Sequence, residues 1–565
     1  MAKAILICKK FSEPNFSLTN DLVRLSKRLI PGNIEPHSPV IIEKNGISIA
    51  VWNPPSSLKK QNCSICIGEF IGNPTNWYNP GGPIPDGNYA LFRTNQNSIE
   101  ILTDFLATRT IWFICRDDVF IASTSQRAIV CLLNDYVPNK ESFSWFLSSG
   151  NLGPGLSWDA RVHCLQGNSC LRLDRHKWKI EIKRPGLMFP ARRDNPQVHQ
   201  NRLLHCLRNT INGFSLDLDK WLLPLSGGYD SRTLLCLFQN YRDIRCVTWG
   251  HQKTLQDPQS DASIARKLAN HLEVHHEFFP TDINIVNFDN FLDQFCIAGE
   301  GRIDHISGYM DGFTMWKNFF ESKYEGIIRG DQGFGWLDTE SELIIRHSLE
   351  CILLNEYQLL KTQDFDLPTQ ALPDFLKRKS REPILDWRDR FFLEFRVPYV
   401  KAALNDLKSS YVEIISPFLT RSIIENVLSI PGYHRTNKSL FKKIALSLTP
   451  DIEFAQKASI EPVEKILSQP SFLQFLMDTL NAHSVRQLLS PKLINITLKA
   501  LDSNQKSMTA FRKNIKINSF LSSIKKIINP SPPPMKLSYK RLALRICIIH
   551  KMNELFKADT KFLID

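Results

Sequence analysis

Short runs in which apolar and polar residues alternate dominate the first third of the chain. The segment from Ile99 to Thr124 is typical, because apolar stretches follow one another there with polar residues at the turns between them. A repeat of two places successive side chains on opposite faces of a strand. The pattern predicts a β-rich part that runs to about residue 190, with turns where Pro and Gly cluster at residues 79–87.

The pattern changes near residue 200. Residues 199–214 have apolar positions at helical spacing, and a buried strand follows at Trp221–Leu225. A helix is predicted from about Ser231, and a further strand at Ile244–Gly250. Strands that alternate with helices are typical of a doubly wound parallel sheet. The fold class predicted for the whole chain is therefore α/β, with a mostly helical pattern beyond about residue 340.

Composition alters this picture only at the C-terminal end. The chain has 565 residues, enough for about two to four domains, and its 43% hydrophobic and 22% charged residues are typical of a globular protein. The net charge is +13, and residues 501–565 hold 13 Lys and Arg against 4 Asp and Glu. The sequence divides into residues 1–190, residues 200–500 and a basic C-terminal tail at 501–565.

The basic tail has two interpretations. It is either a docking surface for a partner protein or peptide, or a solvated helical face. Nucleic acid is disfavoured as a partner, because no aromatic-rich RNA-binding motif accompanies the basic residues. Residues 529–534, with the sequence NPSPPP, predict a short extended hinge within the tail.

Cysteine usage and hydropathy indicate the compartment. The 13 cysteines are odd in number and scattered from Cys8 to Cys547, which favours reduced, mostly buried thiols over a disulfide framework. No apolar run approaches the roughly eighteen residues that a membrane span needs. The N-terminal apolar run, Ala4–Cys8, is too short for a secretory signal. The expected location is cytoplasmic, with no membrane partner.

The strongest chemical signal is the turn after the strand Trp221–Leu225, which has the sequence LSGGYDSR from Leu225 to Arg232. Two adjacent glycines permit a tight turn that brings N–H groups close to an anion, and the following helix adds its dipole. The hydroxyls of two serines add donors, and Asp230 supplies a carboxylate for Mg²⁺ on a polyphosphate. The turn predicts a site for the pyrophosphate of ATP at the carboxyl end of a strand. The GxxxxGK[ST] pattern is absent.

The sequence SGGYDS resembles the pyrophosphate loop of the N-type ATP pyrophosphatases, and its context resembles the asparagine synthetase family. The resemblance covers most of residues 200–460. Four further stretches carry it: residues 261–277 (DASIARKLA through HHE), 326–335 (GIIRGDQGFG), 413–419 (EIISPFL) and 438–450 (KSLFKKIALSLTP).

The first part of the chain also resembles this family, at Asp86–Ala90, Asp104–Arg109, Ala122–Thr124 and Gly167–Ser169. The resemblance implies an N-terminal Ntn-type αββα sandwich of glutaminase type, followed by the ATP pyrophosphatase domain. That glutaminase uses a cysteine directly after the initiator Met as its nucleophile. Here Ala2 occupies that position and the nearest cysteine is Cys8. We therefore expect this domain to lack glutaminase activity and to serve as a scaffold.

The resemblance also implies roles for individual residues. Asp331 corresponds to a second Mg²⁺ ligand, although the Asp-Glu pair that follows in the family falls at Phe334–Gly335. Lys457 corresponds to a lysine that stabilises the pentavalent phosphorus, with Lys443 as the alternative. The remaining implied roles are pyrophosphate binding for Ser226, Gly227, Gly228 and Ser231, Mg²⁺ binding and catalysis for Asp230, contact with the adenosine end for Leu225, Trp249, Arg329 and Gly330, a structural role for His275 and His276, and a packing or supporting role for Glu413.

These roles imply an ATP-dependent ligase that needs ATP and Mg²⁺. It adenylates the carboxylate of a small molecule or peptide, releases pyrophosphate, and forms an amide when an amine attacks. β-Lactam synthetases and lasso-peptide cyclases resemble this layout. The alternatives are an asparagine synthetase that uses ammonia, a catalytically inactive nucleotide-binding homologue, and an RNA-modifying enzyme, which the basic tail favours and the first domain disfavours.

Overall fold

The computed structural model describes residues 2–10, 17–56, 58–190, 192–285, 287–335, 338–357, 365–510 and 538–564. The described part of the first third holds strands β1 (Lys3–Lys9), β2 (Val40–Lys44), β3 (Ile47–Trp52), β4 (Lys59–Gln61), β5 (Ser64–Phe70), β6 (Gly87–Thr94), β7 (Ser98–Thr103), β8 (Ile111–Cys115), β9 (Val119–Ser123), β10 (His163–Leu165), β11 (Cys170–Asp174) and β12 (Lys179–Lys183). The successive strands predicted between Ile99 and Thr124 are confirmed as β7, β8 and β9.

These strands form two antiparallel sheets that share one core. The first sheet has the order β10-β8-β9-β1-β3-β2 and the second the order β12-β11-β7-β6-β5-β4. Leu6 and Ile49 of the first sheet are buried in the same apolar cluster as Ile67 and Phe92 of the second. The alternation seen in the sequence therefore places one face of each sheet in a common sandwich core.

The outer faces of the sandwich differ from each other. On the first sheet lie helices α1 (Thr19–Leu29) and α2 (Gln126–Leu133), and the indole of Trp52 donates to the carbonyl of Leu22 at 2.7 Å. The outer face of the second sheet contacts residues 413–419 of the later part of the chain. Within the described residues, the second helical layer expected for an αββα sandwich is thus replaced by the neighbouring part.

A second core surrounds a sheet of five parallel strands. Its members are β13 (Trp221–Pro224), β14 (Arg245–Gly250), β15 (His276–Pro280), β16 (Gly326–Ile328) and β17 (Glu413–Ile415), in the order β15-β14-β13-β16-β17. The chain moves from β13 to one edge through β14 and β15, and then returns to build the other edge. The order of the strands consequently reverses between β13 and β16, where ligands bind in doubly wound sheets.

Helices surround the two cores. Beyond α1 and α2 they are α3 (Lys140–Ser149), α4 (Pro196–Asn212), α5 (Tyr229–Leu237), α6 (Asp261–Leu272), α7 (Phe288–Gly299), α8 (Thr314–Glu321), α9 (Glu342–Ser348), α10 (Ile384–Phe391), α11 (Ala402–Ser409), α12 (Arg421–Leu428), α13 (Gly432–Arg435), α14 (Ser439–Leu448), α15 (Val463–Ile466), α16 (Pro470–Asn481), α17 (His483–Leu488), α18 (Pro491–Ala510) and α19 (Tyr539–Asp559). A π-helix at Phe392–Lys401 joins α10 to α11.

Helix α19 corrects the interpretation of the C-terminal region as an exposed basic tail. Its residues Leu542–Ile549 are all buried, and it packs against α2, α3, α7 and α16. Its charges have internal partners: Arg545 lies 2.7 Å from Asp304, and Asp559 lies 2.7 Å from Arg127. Over residues 538–564 the helix is therefore packed on the core through Arg545 and its apolar residues, while Lys557 stays 60% exposed. The predicted hinge at 529–534 lies outside the described residues.

Candidate active site

The predicted phosphate-binding turn lies at the carboxyl end of β13, next to the reversal point of the parallel sheet. Helix α5 begins at Tyr229, two residues earlier than the sequence predicts, because Gly228 has an extended backbone and acts as its N-cap. No side chain in the described part of the chain caps this helix end. The first N–H groups of α5 are thus available to an anion, and the helix dipole favours one there.

Two serines shape the turn from inside. The hydroxyls of Ser226 and Ser231 lie 2.9 Å apart, and the Ser231 hydroxyl accepts from the backbone N–H of Ser226 at 2.9 Å. The backbone N–H of Gly228 donates to the Ser226 hydroxyl at 3.3 Å. These contacts hold the turn closed on itself and bring both hydroxyls to its centre.

Gly227 is required for close packing. A Cβ at this position would lie 2.4 Å from the Cβ of Ala455, so no larger residue fits. Its N–H donates to the carboxylate of Asp261, the first residue of α6, at 3.1 Å. Arg232 holds the carbonyl side of the turn, because its guanidinium donates to the carbonyls of Gly227 and Gly228, both at 3.1 Å. The turn is therefore a rigid element.

A cavity of about 230 Å³ opens beside the turn, between the carboxyl ends of β13 and β14. Leu225 and Trp249 line it, together with residues 458–460. Thr248 stiffens its floor, because its hydroxyl donates to the carbonyl of Leu225 at 2.6 Å and lies 2.9 Å from the imidazole of His276. Burial lowers the pKa of His276 to about 4, so this imidazole is neutral at pH 7. The cavity is mostly apolar and open on one side, as a site for a nucleoside would be.

The segment after β16 meets the turn directly. A Cβ on Gly330 would lie 3.0 Å from the backbone nitrogen of Ser231, so glycine permits this close approach. The flanking residues Arg329 and Asp331 form an ion pair with 2.9 Å between Nε and Oδ2. The Nζ of Lys401, at the end of the π-helix, donates to the other oxygen of Asp331 at 2.9 Å. Burial raises the pKa of Asp331, but Arg329 and Lys401 outweigh this and hold the pKa well below its usual range.

Asp230 has a different partner. The Nζ of Lys438 lies 2.8 and 3.0 Å from its two carboxylate oxygens. Burial raises the pKa of Asp230, and Lys438 opposes part of that rise. Asp331 also raises the pKa of Asp230 and Lys401 lowers it, which shows that the two carboxylates share one electrostatic environment. The cluster therefore contains two carboxylates and three cations: Asp230, Asp331, Lys438, Lys401 and Arg329.

The structure brings most of the predicted site residues together. The turn (Leu225 to Gly228, Asp230 and Ser231), Trp249 and the segment Arg329–Asp331 meet at one edge of the sheet. Lys457 directly precedes the cavity-lining residues 458–460, but its side chain is 56% exposed and its Nζ lies 2.8 Å from Asp257, in the turn before α6. Lys443 is exposed on α14. The lysine on Asp230 is Lys438, so these positions do not support a role for Lys457 at the phosphorus.

Sequence reasoning missed two of the three cations. Lys438 is the first residue of KSLFKKIALSLTP, a segment that resembles the family. Its place in that segment is the signal that could have identified it. Lys401 had no such signal, since it lies 70 residues from Asp331 in the chain. Glu413 lies at the start of β17, where it forms a buried ion pair with Arg109 of the sandwich. It therefore joins the two parts of the molecule.

The corresponding end of the sandwich is closed. Ala2 is 1% exposed, and its carbonyl accepts from the guanidinium of Arg109 at 3.1 Å. Cys8 is fully buried on β1, and burial raises the pKa of its thiol. A thiol is a weak nucleophile when it stays protonated. Ala2 carries no nucleophilic side chain, and the thiol of Cys8 lies in the sandwich core.

The donor set decides which metal ion the site fits. The described residues contain no group of three or more His, Cys, Asp or Glu that could hold a metal on their own. Mg²⁺ on a polyphosphate needs only one or two carboxylates from the protein, with phosphate oxygens and water completing its shell. Asp230 is 28% exposed and meets this need, because Lys438 leaves part of its lone pairs free. Asp331 does not meet this need, because Arg329, Lys401 and Ser416 occupy its carboxylate oxygens.

Comparisons with known proteins add little. No family model matches the chain, and no curated protein matches it. The chain is similar to a solved structure of the allosteric regulatory enzyme of purine biosynthesis. The match covers 49% of this chain and 80% of that structure's chain, with 9% sequence identity and a TM-score of 0.22. At that TM-score the likeness carries no argument. The described residues form a mixed α/β structure with one parallel and two antiparallel sheets, and none of their helices is long and apolar enough to span a membrane.

Proposed function

We propose that the protein is an ATP-dependent ligase that forms an amide bond by adenylating a carboxylate. The observation that carries the proposal is the charged cluster at the reversal point of the parallel sheet. There three cations and the carboxylate of Asp230 lie at an uncapped helix N-terminus, and Ser226 of the same turn lines a cavity of about 230 Å³. Such an arrangement suits a polyphosphate whose nucleoside lies in the cavity.

In the proposed reaction, a carboxylate oxygen attacks the α-phosphorus of ATP, and the bond from that phosphorus to the bridging oxygen breaks. Pyrophosphate leaves, and an amine nitrogen then attacks the acyl carbon, which releases AMP as the amide forms. A proton passes from the amine to a base or to solvent. Catalysis of this kind depends on positioning and on stabilising negative charge.

The residues of the cluster supply both the positioning of the nucleotide and the stabilisation of its negative charge. The N–H groups at the start of α5 and the hydroxyls of Ser226 and Ser231 bind the departing pyrophosphate. Lys438 lies on Asp230 at the first turn of that helix, so its ammonium stabilises charge on the reacting phosphate. Bound Mg²⁺ would supply further charge neutralisation, and Asp230 is the residue that would hold it. Leu225 and Trp249 exclude water from one side of the nucleoside.

The closed end of the sandwich supports an amine source other than glutamine. Ala2 carries no nucleophile. Arg109, which donates to the carbonyl of Ala2, also forms an ion pair with Glu413 where the sandwich contacts the parallel sheet. The acceptor amine is then ammonia or an amine of the substrate itself. We favour a substrate amine, as in intramolecular amide closure, over the ammonia-dependent formation of asparagine.

The test is release of pyrophosphate from ATP and Mg²⁺ with three sets of substrates: aspartate with ammonia, aspartate with glutamine, and a pool of synthetic peptides with free carboxylates and amines. The proposal predicts release with the peptides and loss of that release in Asp230→Asn. Release with aspartate and ammonia alone would identify an asparagine synthetase. ATP binding without release under any condition would identify an inactive homologue.

A further inference from the structure

Asp331 is surrounded by donors. Its Oδ1 accepts from the Nζ of Lys401 at 2.9 Å and from an Nη of Arg329 at 3.3 Å. Its Oδ2 lies 2.9 Å from the Nε of Arg329 and accepts from the hydroxyl of Ser416 at 3.3 Å. A carboxylate has about four lone-pair positions. Four donor atoms from the protein therefore occupy the whole acceptor capacity of this side chain.

Asp230 shows what an available carboxylate looks like in the same site. Its one described partner is the ammonium of Lys438, shared between both oxygens. Its side chain is 28% exposed, against 12% for Asp331. A metal ion would have to displace charged donors to reach Asp331, whereas it can approach Asp230 from the open side.

Both cations on Asp331 are held firmly in place. Arg329 is followed by Gly330, whose close approach to the start of α5 fixes the segment against the phosphate-binding turn. Lys401 ends a ten-residue π-helix, a rare element that is frequent at functional sites. Its ammonium also lies 5.7 Å from the ring of Phe392. With Lys438 included, three cations face two carboxylates, so the cluster has an excess of positive charge.

We infer that Asp331 is a positioning residue that fixes Arg329 and Lys401 as pyrophosphate-binding cations, and that these two side chains take the place of a second metal ion. The site then binds one divalent ion per nucleotide, on Asp230. This inference rests on the proposed function, because it assumes that the anion at the cluster is the polyphosphate of a nucleotide. It assigns Asp331 a role different from the metal ligand that the resemblance implied.

The test measures metal stoichiometry and nucleotide affinity on the whole protein, with no catalytic step. Mn²⁺ and the α,β-methylene analogue of ATP are titrated together, and electron paramagnetic resonance counts the Mn²⁺ bound per bound analogue. We expect one Mn²⁺ in the wild type and one in Asp331→Asn. Two ions in the wild type, with one lost in Asp331→Asn, would overturn this inference and leave the proposed function standing. A wild type that does not bind the analogue would overturn both.

Lys401→Met tests the same claim without altering the carboxylate. Loss of one charge-assisted contact should weaken analogue binding by about tenfold while the Mn²⁺ count stays the same. Lys401→Arg should restore most of the affinity, since it keeps the charge. Lys557→Met removes a 60% exposed lysine of α19, outside the site, and serves as the control, with unchanged affinity expected. Equal affinity in Lys401→Met and wild type would contradict the inference, provided that both melt at similar temperatures.

Discussion

The sandwich and the parallel sheet each carry a cluster of charged residues at one end. The two clusters differ in how far their charged side chains are exposed to a ligand. At the end of the sandwich, Arg109 and Glu413 are 10% and 2% exposed and paired with each other. At the carboxyl end of the parallel sheet, Asp230 and Lys438 are 28% and 21% exposed, and Ser226 of the same turn lines an open cavity. The first cluster is closed and holds two parts together, whereas the second still has room for a ligand.

This difference teaches where chemistry resides in the molecule. A buried ion pair contributes to stability or specificity and cannot exchange partners without cost. A partly exposed carboxylate beside an uncapped helix can take a ligand in exchange for its lysine. We therefore expect substitutions at the parallel sheet to change activity with little effect on stability, and substitutions at buried pairs to do the reverse.

The largest effect is expected for Asp230→Asn. The substitution removes the carboxylate that would hold Mg²⁺, and pyrophosphate release should fall by about 100-fold or more. Asp257→Asn is the matched control, because Asp257 is also paired with a lysine but lies in the turn before α6. It should change the rate by less than about twofold. Equal losses in both variants would remove the distinction between the two carboxylates.

Lys438 and Lys457 distinguish the role that the structure indicates from the role that the resemblance implies. Lys438→Met should lower the rate of pyrophosphate release by about 100-fold, because it removes a cation next to the reacting phosphate. Lys457→Met should lower it by less than about threefold, since its exposed side chain pairs only with Asp257 among the described residues. Steady-state rates for both variants provide the measurement. The opposite ranking would return the catalytic role to Lys457.

Asp559→Asn is expected to reduce stability and spare activity. Asp559 and Arg127 are both 0% exposed, and the substitution leaves the buried guanidinium without its counter-charge. Such a loss typically costs about 3–5 kcal/mol in the free energy of unfolding. Denaturant unfolding measures it, with Asp289→Asn as the control, because the 54% exposed Asp289 shares Lys551 with Asp293. A stable Asp559→Asn protein would show that this buried ion pair contributes little to the packing of α19 on the core.

The smallest effect concerns acid stability. Burial raises the pKa of Glu350, but hydrogen bonds from His305 and Arg396 outweigh this and lower the pKa to about 2. The unfolded chain binds this proton at a higher pH than the folded protein does, so the contribution to stability is present above about pH 4.5 and is lost as the pH falls toward 2. Glu350→Gln should flatten the decline of the melting temperature between pH 5 and pH 3. An unchanged slope would contradict the assignment.

The sequence predicted the elements whose signals are local. Alternation located the strands between Ile99 and Thr124, and the Gly-rich turn located the start of α5 to within two residues. The resemblance placed Arg329, Gly330 and Asp331 near that turn. In each case the signal lies in a few consecutive residues, and short segments of sequence carry it.

Signals that depend on tertiary contacts were missed. The basic residues of α19 looked like a tail because their acidic partners, Asp304 among them, lie far away in the chain. Lys401 reaches Asp331 only because the π-helix brings it there. The role implied for Lys457 stays a prediction, and its neighbours in sequence did not reveal that its ammonium pairs with Asp257.

The most direct test of the account is photo-crosslinking with 8-azido-ATP, since it locates the nucleotide without knowledge of the other substrate. The account predicts that label, suppressed by excess ATP, appears in peptides that contain Leu225, Trp249 or residues 458–460, the lining of the cavity beside β13 and β14. The label should weaken in Asp230→Asn. ATP-suppressible label confined to the sandwich or to α19, or the absence of any such label, would contradict the assignment of this cavity as the nucleotide site.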